Sequence, residues 1–204
     1  MREYLERSMT FAEYTKLIDD LLAANMTTGT NQSEAMVGYG KLNRQRMNRL
    51  EKTIKLTDGV KIGVSNLTRK QVWLIITEGW CGDAAQNVPA IEKIAAESDK
   101  IETRYLLRDD NLELMDQYLT DGARSIPKLI ALDAETLDVL GTWGSRPAAA
   151  DAVFAGMKAK GMEKSVILEE MQRWYNTDKA VSMQNEFEKL LNVWEEKRSV
   201  AVGK

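Results

Sequence analysis

The sequence predicts an α/β protein with a mixed central sheet flanked by helices and with further helices at both ends of the chain. Three strand-like apolar runs carry most of this prediction, and they occupy 72–77, 101–107 and 128–132. A helical run from Ala84 to Glu97 separates the first two runs, and a short helix around 112–119 precedes the third. A strand–helix–strand order favours a parallel pair, whereas the turn at 133–136 and the run after it indicate an antiparallel hairpin. Together these elements predict a mixed sheet.

Length and composition limit the possible classes of function. The chain has 204 residues, 44% of them hydrophobic and 29% charged, which is typical of a folded domain. Its net charge of −3 is too small to indicate a nucleic-acid partner. No apolar run approaches the ~18 residues that cross a bilayer. We therefore expect neither nucleic acid nor a membrane as a partner.

One cysteine and no histidine narrow the chemistry further. Such a chain cannot build a Ser-His-Asp or Cys-His catalytic site, and neither a metal site nor a cofactor is expected. The lone cysteine also excludes an internal disulfide, and the first residues lack the apolar segment of a secretory signal. Both features favour the reducing cytoplasm.

Residues 1–57 are predicted to form an N-terminal extension of two helices. Thr10 and Glu13 have the spacing of a capping box at the start of the first helix. The apolar positions that we expect to face the core in the second helix are Met36, Tyr39, Met47, Leu50 and Ile54. The basic positions of the same helix are Lys41, Arg44, Lys52 and Lys55, with Arg46 and Arg49 between the two sides. This basic stretch is either an anion or nucleic-acid contact or a solvent-exposed helix face, and the second interpretation is favoured.

The core domain is predicted to span 58–160, and a helical extension packed on the core is predicted for 161–204. The helix from Ala148 to Lys160 is expected to end at Gly161. Two further helices are marked by apolar residues at helical spacing, namely Ile167, Met171 and Trp174, then Met183, Phe187, Leu190, Leu191 and Trp194. We interpret these methionines and aromatic residues as core residues.

Cys81 lies between the first predicted strand and the helix that follows it. The backbone amides of Gly82, Asp83 and Ala84 at a helix start favour a thiolate, so we expect a lowered Cys81 pKa. Asp83 either opposes this effect through its negative charge or caps the helix. The chemistry at this position is therefore monothiol or absent.

The segment around Cys81 resembles the active-site segment of thioredoxins. That segment reads Trp-Cys-Gly-Pro-Cys with a proline eight residues after the first cysteine; this chain has Trp80-Cys81-Gly82-Asp83-Ala84 and Pro89. Arg124-Ser125-Ile126-Pro127, directly before a strand, is similar to the loop that carries the family's cis-proline, and Trp143-Gly144 resembles the end of its last strand. More narrowly, residues 80–84, 108–111, 125–128 and 143–147 resemble a group of thioredoxin-like bacterial proteins.

The resemblance implies a thioredoxin-like fold and a set of site residues. It makes Cys81 the reactive sulfur and places Trp80 at one side of it. It also implies that a cis Pro127 leaves the Ile126 backbone free to pair with an extended substrate. The residues expected to border the substrate with them are Arg124, Ser125, Trp143 and Arg146. The two arginines either hold a carboxylate of a peptide-like thiol or form salt bridges to Asp109 or Asp110.

Two departures from the family pattern argue against a dithiol reductase. Ala84 replaces the resolving cysteine, and Ile75 replaces the buried aspartate that thioredoxins use for proton transfer. One remaining function is monothiol exchange at Cys81 with protein thiols or disulfides or with a low-molecular-weight thiol. The alternative is a non-catalytic protein-binding adaptor that uses the same groove. The sequence predicts no particular oligomeric state.

Overall fold

The computed structural model describes residues 1–202, with side chains described through residue 197. The first helices are α1 (Arg2–Glu6), α2 (Phe11–Ala23), α3 (Glu34–Thr53) and α4 (Asp58–Ser65). The central elements are β1 (Gln71–Thr77), α5 (Gly82–Ala95), β2 (Ile101–Leu107), α6 (Leu112–Met115), β3 (Lys128–Asp133) and β4 (Val139–Trp143). The last helices are α7 (Ala148–Ala159), α8 (Lys164–Asp178) and α9 (Val181–Val202). Among the described residues, no helix combines the length and the apolar character that crossing a membrane requires.

The four strands form one sheet in the order β2-β1-β3-β4. Strand β1 runs parallel to β2 and antiparallel to β3, and β3 runs antiparallel to β4. The mixed sheet expected from the order of strands and helices is therefore confirmed. Every residue of β1 is buried, as expected for a central strand that is covered on both faces.

The pairing of β1 with β3 decides where the two conspicuous loops meet. Their antiparallel register places Ile76 opposite Lys128. The chain consequently leaves β1 at the same end of the sheet at which it enters β3. Cys81 follows β1 and Pro127 directly precedes β3, so both lie at this end.

Aromatic rings fix α9 to the sheet. Trp73 of β1 lies 5.5 Å from Phe187 and 5.9 Å from Trp194 between ring centres, and Trp143 of β4 lies 5.4 Å from Phe187. All three pairs are edge-on, the arrangement that suits the ring quadrupoles. The same buried cluster also includes Tyr14 of α2 and Met47 of α3 among its members. Helices α2, α3 and α9 therefore share one core with the sheet.

Helices α7 and α8 have an apolar cluster of their own. Its buried members are Ala150, Ile167, Met171 and Tyr175, with Phe154, Met157, Met162 and Trp174 packed around them. The predicted C-terminal extension is helical as far as the description goes, and residues 203 and 204 lie outside the described residues. The proposed division at residues 57 and 160 stays a prediction.

The number of N-terminal helices differs from the sequence prediction. Three helices instead of two precede residue 57, and α4 follows without having been predicted. Helix α1 has five residues and buries none of them, so it leaves no apolar period in the sequence. Helix α6 is also shorter than expected. It ends at Met115, and Leu119, which was expected to belong to it, is exposed.

The buried face of α3 also differs from the prediction. Tyr39 was expected in the core but is 43% exposed. Val37, Gly40 and Asn43 are buried instead, together with Met47. The prediction for Tyr39 was wrong because this face contains a glycine and an asparagine, which a search for apolar residues passes over.

Gly141→Ala tests the packing of α9 on the sheet. A methyl group at this position of β4 would lie 2.1 Å from Nε1 of the buried Trp194. Because the ring is held on several sides, we expect a loss of about 1–3 kcal/mol in the free energy of unfolding, measured with urea.

Gly156→Ala is the matched control. It lies on an exposed side of α7 with no atom within 4 Å of the added methyl group. This variant is expected to gain about 0.5–1 kcal/mol from the higher helix propensity of alanine. A Gly141→Ala protein as stable as the wild type would contradict the described packing.

Candidate functional site

The loop that carries Cys81 is held in place by the N-terminal helical region. The Gly79 N–H donates to Thr28 Oγ1 at 2.9 Å, and Asn43 Nδ2 donates to the Gly79 carbonyl at 3.1 Å. Both side chains are almost fully buried. A methyl group at Gly79 would lie 3.1 Å from Cγ1 of Ile18, so glycine allows α2 to approach closely. Hydrogen bonds therefore fix both the N–H and the carbonyl of Gly79, two residues before Cys81.

Cys81 is the N-cap residue of α5. Its Sγ accepts a hydrogen bond from the Ala84 N–H at 3.4 Å, and its thiol donates to the Ile126 carbonyl at 3.3 Å. The peptide bond between Ile126 and Pro127 is cis. The structure therefore brings Cys81, Ala84, Ile126 and Pro127 together, and Ser125 is half-buried next to Ile126. The Ile126 carbonyl, which the resemblance left free for a substrate, is occupied by the thiol.

The Cys81 pKa is raised to about 12, so the expectation of a lowered pKa is wrong. Burial is the largest cause, because only 8% of the residue is exposed and a thiolate there would lose its hydration. The negative charge of Asp83 raises the pKa further. Hydrogen bonds from the amides of Ala84 and Asp83 and the charge of Arg146 lower it, but they do not compensate. The thiol is consequently protonated at neutral pH.

Asp83 forms buried polar contacts and does not cap α5. Its carboxylate accepts from Arg146 Nη2 at 2.6 Å and from the Tyr175 hydroxyl at 2.7 Å. Arg146 also pairs with Asp151 at 3.2 Å and lies over the Phe154 ring at 4.3 Å. The Arg146 side chain is only 15% exposed. Arg146 is thus already neutralised within the protein, contrary to the expectation that it holds a substrate carboxylate or pairs with Asp109 or Asp110.

Arg124 also has a partner within the chain. It forms a two-pronged ion pair with Asp116, with distances of 2.6 and 2.8 Å. The expected salt bridge to Asp109 or Asp110 is therefore wrong, and Asp109 pairs with Arg108 at 2.8 Å. Asp116, at the end of α6, is only eight positions from Arg124 and was not considered as a partner.

The two tryptophans of the predicted site have different surroundings. Trp80 is half-buried beside the Cys81 loop, and the Arg108 guanidinium lies 4.8 Å from its ring centre. Trp143 is only 6% exposed, packs on Phe187 and donates to Glu186 at 2.7 Å. Its ring belongs to the core in the described conformation, and a role of Trp143 at the substrate stays a prediction.

Helix α8 lies against the first turns of α5. Gln172 accepts from Gln86 at 2.7 Å, and a methyl group at Gly82 would lie 3.1 Å from its Nε2 atom. The Tyr175 hydroxyl accepts from Asn87 at 3.3 Å in addition to its bond to Asp83. Sequence analysis missed Gln172 and Tyr175 because their partners are more than 80 positions away along the chain.

Glu78 is a second buried group that sequence analysis missed. It is fully buried, and its Oε1 accepts from the Asp109 N–H at 3.0 Å. Burial raises its pKa, and hydrogen bonds from Thr28 and the Asp109 amide partly offset this effect. Its position in the sequence could have indicated its importance, because Glu78 directly follows the apolar run of β1 and lies three positions before Cys81.

Comparison with known proteins identifies the family. A family model described as thioredoxin matches residues 29–160, a span that includes α3 as well as the sheet. No curated protein matches the chain.

Two solved structures resemble the chain over nearly its whole length. A protein of unknown function from Pseudomonas aeruginosa is 17% identical with a TM-score of 0.56, and the match covers 98% of this chain and 97% of that one. An HIV epitope scaffold is 18% identical with a TM-score of 0.54, covering 92% and 99% of the two chains. Identities this low show the fold alone. Because the thioredoxin model covers more than half of its length, the chain belongs to the thioredoxin-like family.

Proposed function

We propose that this chain is a monothiol member of the family, in which Cys81 exchanges with one disulfide at a time. The observation that supports this best is the placement of the chain's single thiol. It lies at the first turn of α5, within hydrogen-bond reach of the Ala84 amide and of the Ile126 carbonyl. The amide is a donor for a thiolate. The Ile126 residue would offer its carbonyl as an acceptor and its N–H as a donor to an extended partner.

Exchange at one sulfur proceeds in two balanced steps. The Cys81 thiolate attacks a sulfur of the disulfide, so that a bond from Cys81 to that sulfur forms and the original S–S bond breaks. The released sulfur takes the electron pair and leaves as a thiolate, which is protonated by water. A second thiol molecule then attacks the mixed disulfide and restores Cys81. A reducing compartment such as the cytoplasm would supply that second thiol.

Reaction requires more exposure of the sulfur than the described conformation gives. A thiol with a pKa of about 12 is almost entirely protonated at neutral pH, and the Ile126 carbonyl binds its hydrogen. We therefore propose that exchange proceeds from a form in which α8 has moved away from the first turns of α5. Water would then reach Cys81, and the contact of Tyr175 with Asp83 would be lost.

The attachment of α8 fits such a movement. The apolar residues of α7 and α8 pack mainly against one another. In the described contacts of α8 with α3 and α5, Gln172 and Asn176 accept hydrogen bonds from Gln86 and Arg49, and Tyr175 donates one to Asp83. A neutral bond contributes about 0.5–1.5 kcal/mol net and a bond to a charged group about 1.5–3 kcal/mol, because water replaces it when it breaks. Separation on this side would cost a few such bonds and leave the main core intact.

A non-catalytic protein-binding adaptor is the second candidate function. The raised Cys81 pKa favours it, since a permanently protonated thiol takes no part in exchange. The occupied Ile126 carbonyl also favours it. In that case Cys81 would be a packing residue, and a partner would bind without any covalent step.

Mixed-disulfide formation distinguishes the two functions. We expect the native protein to form an adduct with 2-hydroxyethyl disulfide at pH 7.5, measured by mass spectrometry, and to lose it on addition of a small thiol. Cys81→Ser removes the only cysteine, so it is expected to form no adduct. The chain unfolded in guanidinium is the positive control for the reagent. A native protein that stays unmodified for hours while the unfolded chain reacts would support the adaptor.

The pH dependence of Cys81 alkylation tests the electrostatics of the site. We expect a midpoint well above the ~8.5 of a free thiol, because burial and Asp83 both disfavour the thiolate. Asp83→Asn removes one of these causes and keeps an acceptor for Tyr175, so its midpoint is expected to fall.

Asp151→Asn is the control for this experiment. It removes a carboxylate from the same arginine, Arg146, but it is not among the groups that shift Cys81. Its midpoint is expected to stay near that of the wild type. A wild-type midpoint at or below ~8.5, or a rise in Asp83→Asn, would refute the described surroundings of the sulfur.

Tyr175→Phe tests whether α8 restricts access to Cys81. The variant keeps the buried ring and loses the hydroxyl contacts with Asp83 and Asn87. Because the hydroxyl donates to a carboxylate, and such a bond contributes about 1.5–3 kcal/mol, we expect an increase of at least about tenfold in the alkylation rate at neutral pH. Tyr39→Phe changes an exposed tyrosine on α3 and is expected to leave the rate unchanged. An unchanged or slower rate in Tyr175→Phe would contradict a movement of α8.

A further inference from the structure

A cleft between α3 and α8 lies beside the Cys81 loop. Its volume is about 300 Å³, and its lining residues are Leu42, Gln45, Arg46, Arg49, Gln172 and Asn176. Two guanidinium groups and three side-chain amides thus line one open cleft, most of whose side chains are exposed. This size is at the lower end of the range for small-molecule sites.

The two arginines of the cleft make their described hydrogen bonds to neutral amides. Arg46 Nη1 donates to Asn43 at 2.8 Å, and Arg49 Nη2 donates to Asn176 at 2.9 Å. Within residues 1–197, neither arginine forms an ion pair. Arg44 on the same helix differs, because it pairs with Asp19 at 2.8 Å and with Glu51 at 3.4 Å.

The positive charges of Arg46 and Arg49 also disfavour each other. The pKa of Arg46 is lowered, first by burial and then by the charge of Arg49. Like charges three positions apart on a helix destabilise it. An anion bound between them would remove this repulsion and form charge-assisted hydrogen bonds with both.

Two contacts connect the cleft with the Cys81 loop. Asn43 accepts from Arg46 and donates to the carbonyl of Gly79, two residues before Cys81. Gln172 lies against Gly82, the residue after Cys81. A ligand in the cleft would therefore contact Gln172, which lies against Gly82, and Arg46, which is joined to Gly79 through Asn43.

We propose that Arg46 and Arg49 bind the carboxylate of a small thiol compound, or of its disulfide, next to Cys81. This inference rests on the proposed function and adds the substrate class. It also explains how an anionic substrate is held although Arg124 and Arg146 are neutralised by Asp116 and Asp83. The reaction is the exchange already described: the anionic disulfide gives a mixed disulfide with Cys81 and one released thiol.

The test compares two disulfides of similar size. One is 3,3′-dithiodipropionate, with a carboxylate at each end, and the other is the neutral 2-hydroxyethyl disulfide. We expect the wild type to react about tenfold faster with the dicarboxylate, as a charge-assisted contact implies. The double variant Arg46→Gln/Arg49→Gln is expected to lose this preference, which is measured as the ratio of the two rates because Arg49 also bonds Asn176 of α8 and its loss changes the rate with both disulfides.

The matched control is Lys52→Gln/Lys55→Gln. It removes the same total charge from exposed positions near the end of α3 outside the cleft. It is expected to keep the preference for the dicarboxylate. Loss of the preference in this control, or its persistence in the arginine variant, would overturn the cleft as the anion site.

A binding measurement separates failure of the cleft from failure of the exchange reaction. In Cys81→Ser, binding of 3-(methylthio)propionate is followed by the NMR shifts of the arginine Nε–H groups, and we expect binding that depends on Arg46 and Arg49. If Cys81→Ser binds the ligand in this way but the wild type forms no adduct with either disulfide, the exchange reaction is refuted and the anion site in the cleft is supported. Adducts formed without preference for charge would refute the cleft alone. Tighter binding of inorganic phosphate at the same arginines would overturn the assignment to a carboxylate.

Discussion

The antiparallel register between β1 and β3 is the constraint on which the rest of the site depends. With Ile76 opposite Lys128, the loop after β1 and the loop before β3 meet at one end of the sheet. The Cys81 thiol then reaches the Ile126 carbonyl, although the two residues are 45 positions apart. A shift of this register by one residue would turn the buried side chains of β3 to the other face and separate the two loops.

The terminal helices take part in the site as well as in the core. Thr28 and Asn43 fix the Gly79 peptide, so residues before the sheet determine the path of the backbone into Cys81. From the other end of the chain, α8 contributes Tyr175 to Asp83 and Gln172 to the surroundings of Gly82. The sulfur is therefore surrounded by three parts of the sequence. Its raised pKa follows from this enclosure, because the amide groups at the start of α5 do not replace the hydration that a thiolate would lose.

The sequence predicted those features that depend on residues close together in the chain or on the spacing of apolar residues. The strands, the long helices, the capping box at Thr10 and the mixed sheet all follow from local pattern, and the structure contains each of them. The position of Cys81 at the start of a helix was predicted for the same reason. The surroundings of the sulfur were not predictable, because Asp83, Arg146 and Tyr175 meet only in the fold. Tyr39 shows the same limit, since residue type does not tell which face of a helix is covered.

Catalytic turnover is the most direct test of a monothiol exchange protein. The rate at which 2-hydroxyethyl disulfide is consumed by an excess of small thiol would be measured with a trace of the protein and compared with the uncatalysed rate. The account predicts a rate proportional to protein concentration, with many disulfides consumed per chain and none of this increase in Cys81→Ser. Equal rates for the wild type and Cys81→Ser, with both proteins folded, would contradict it.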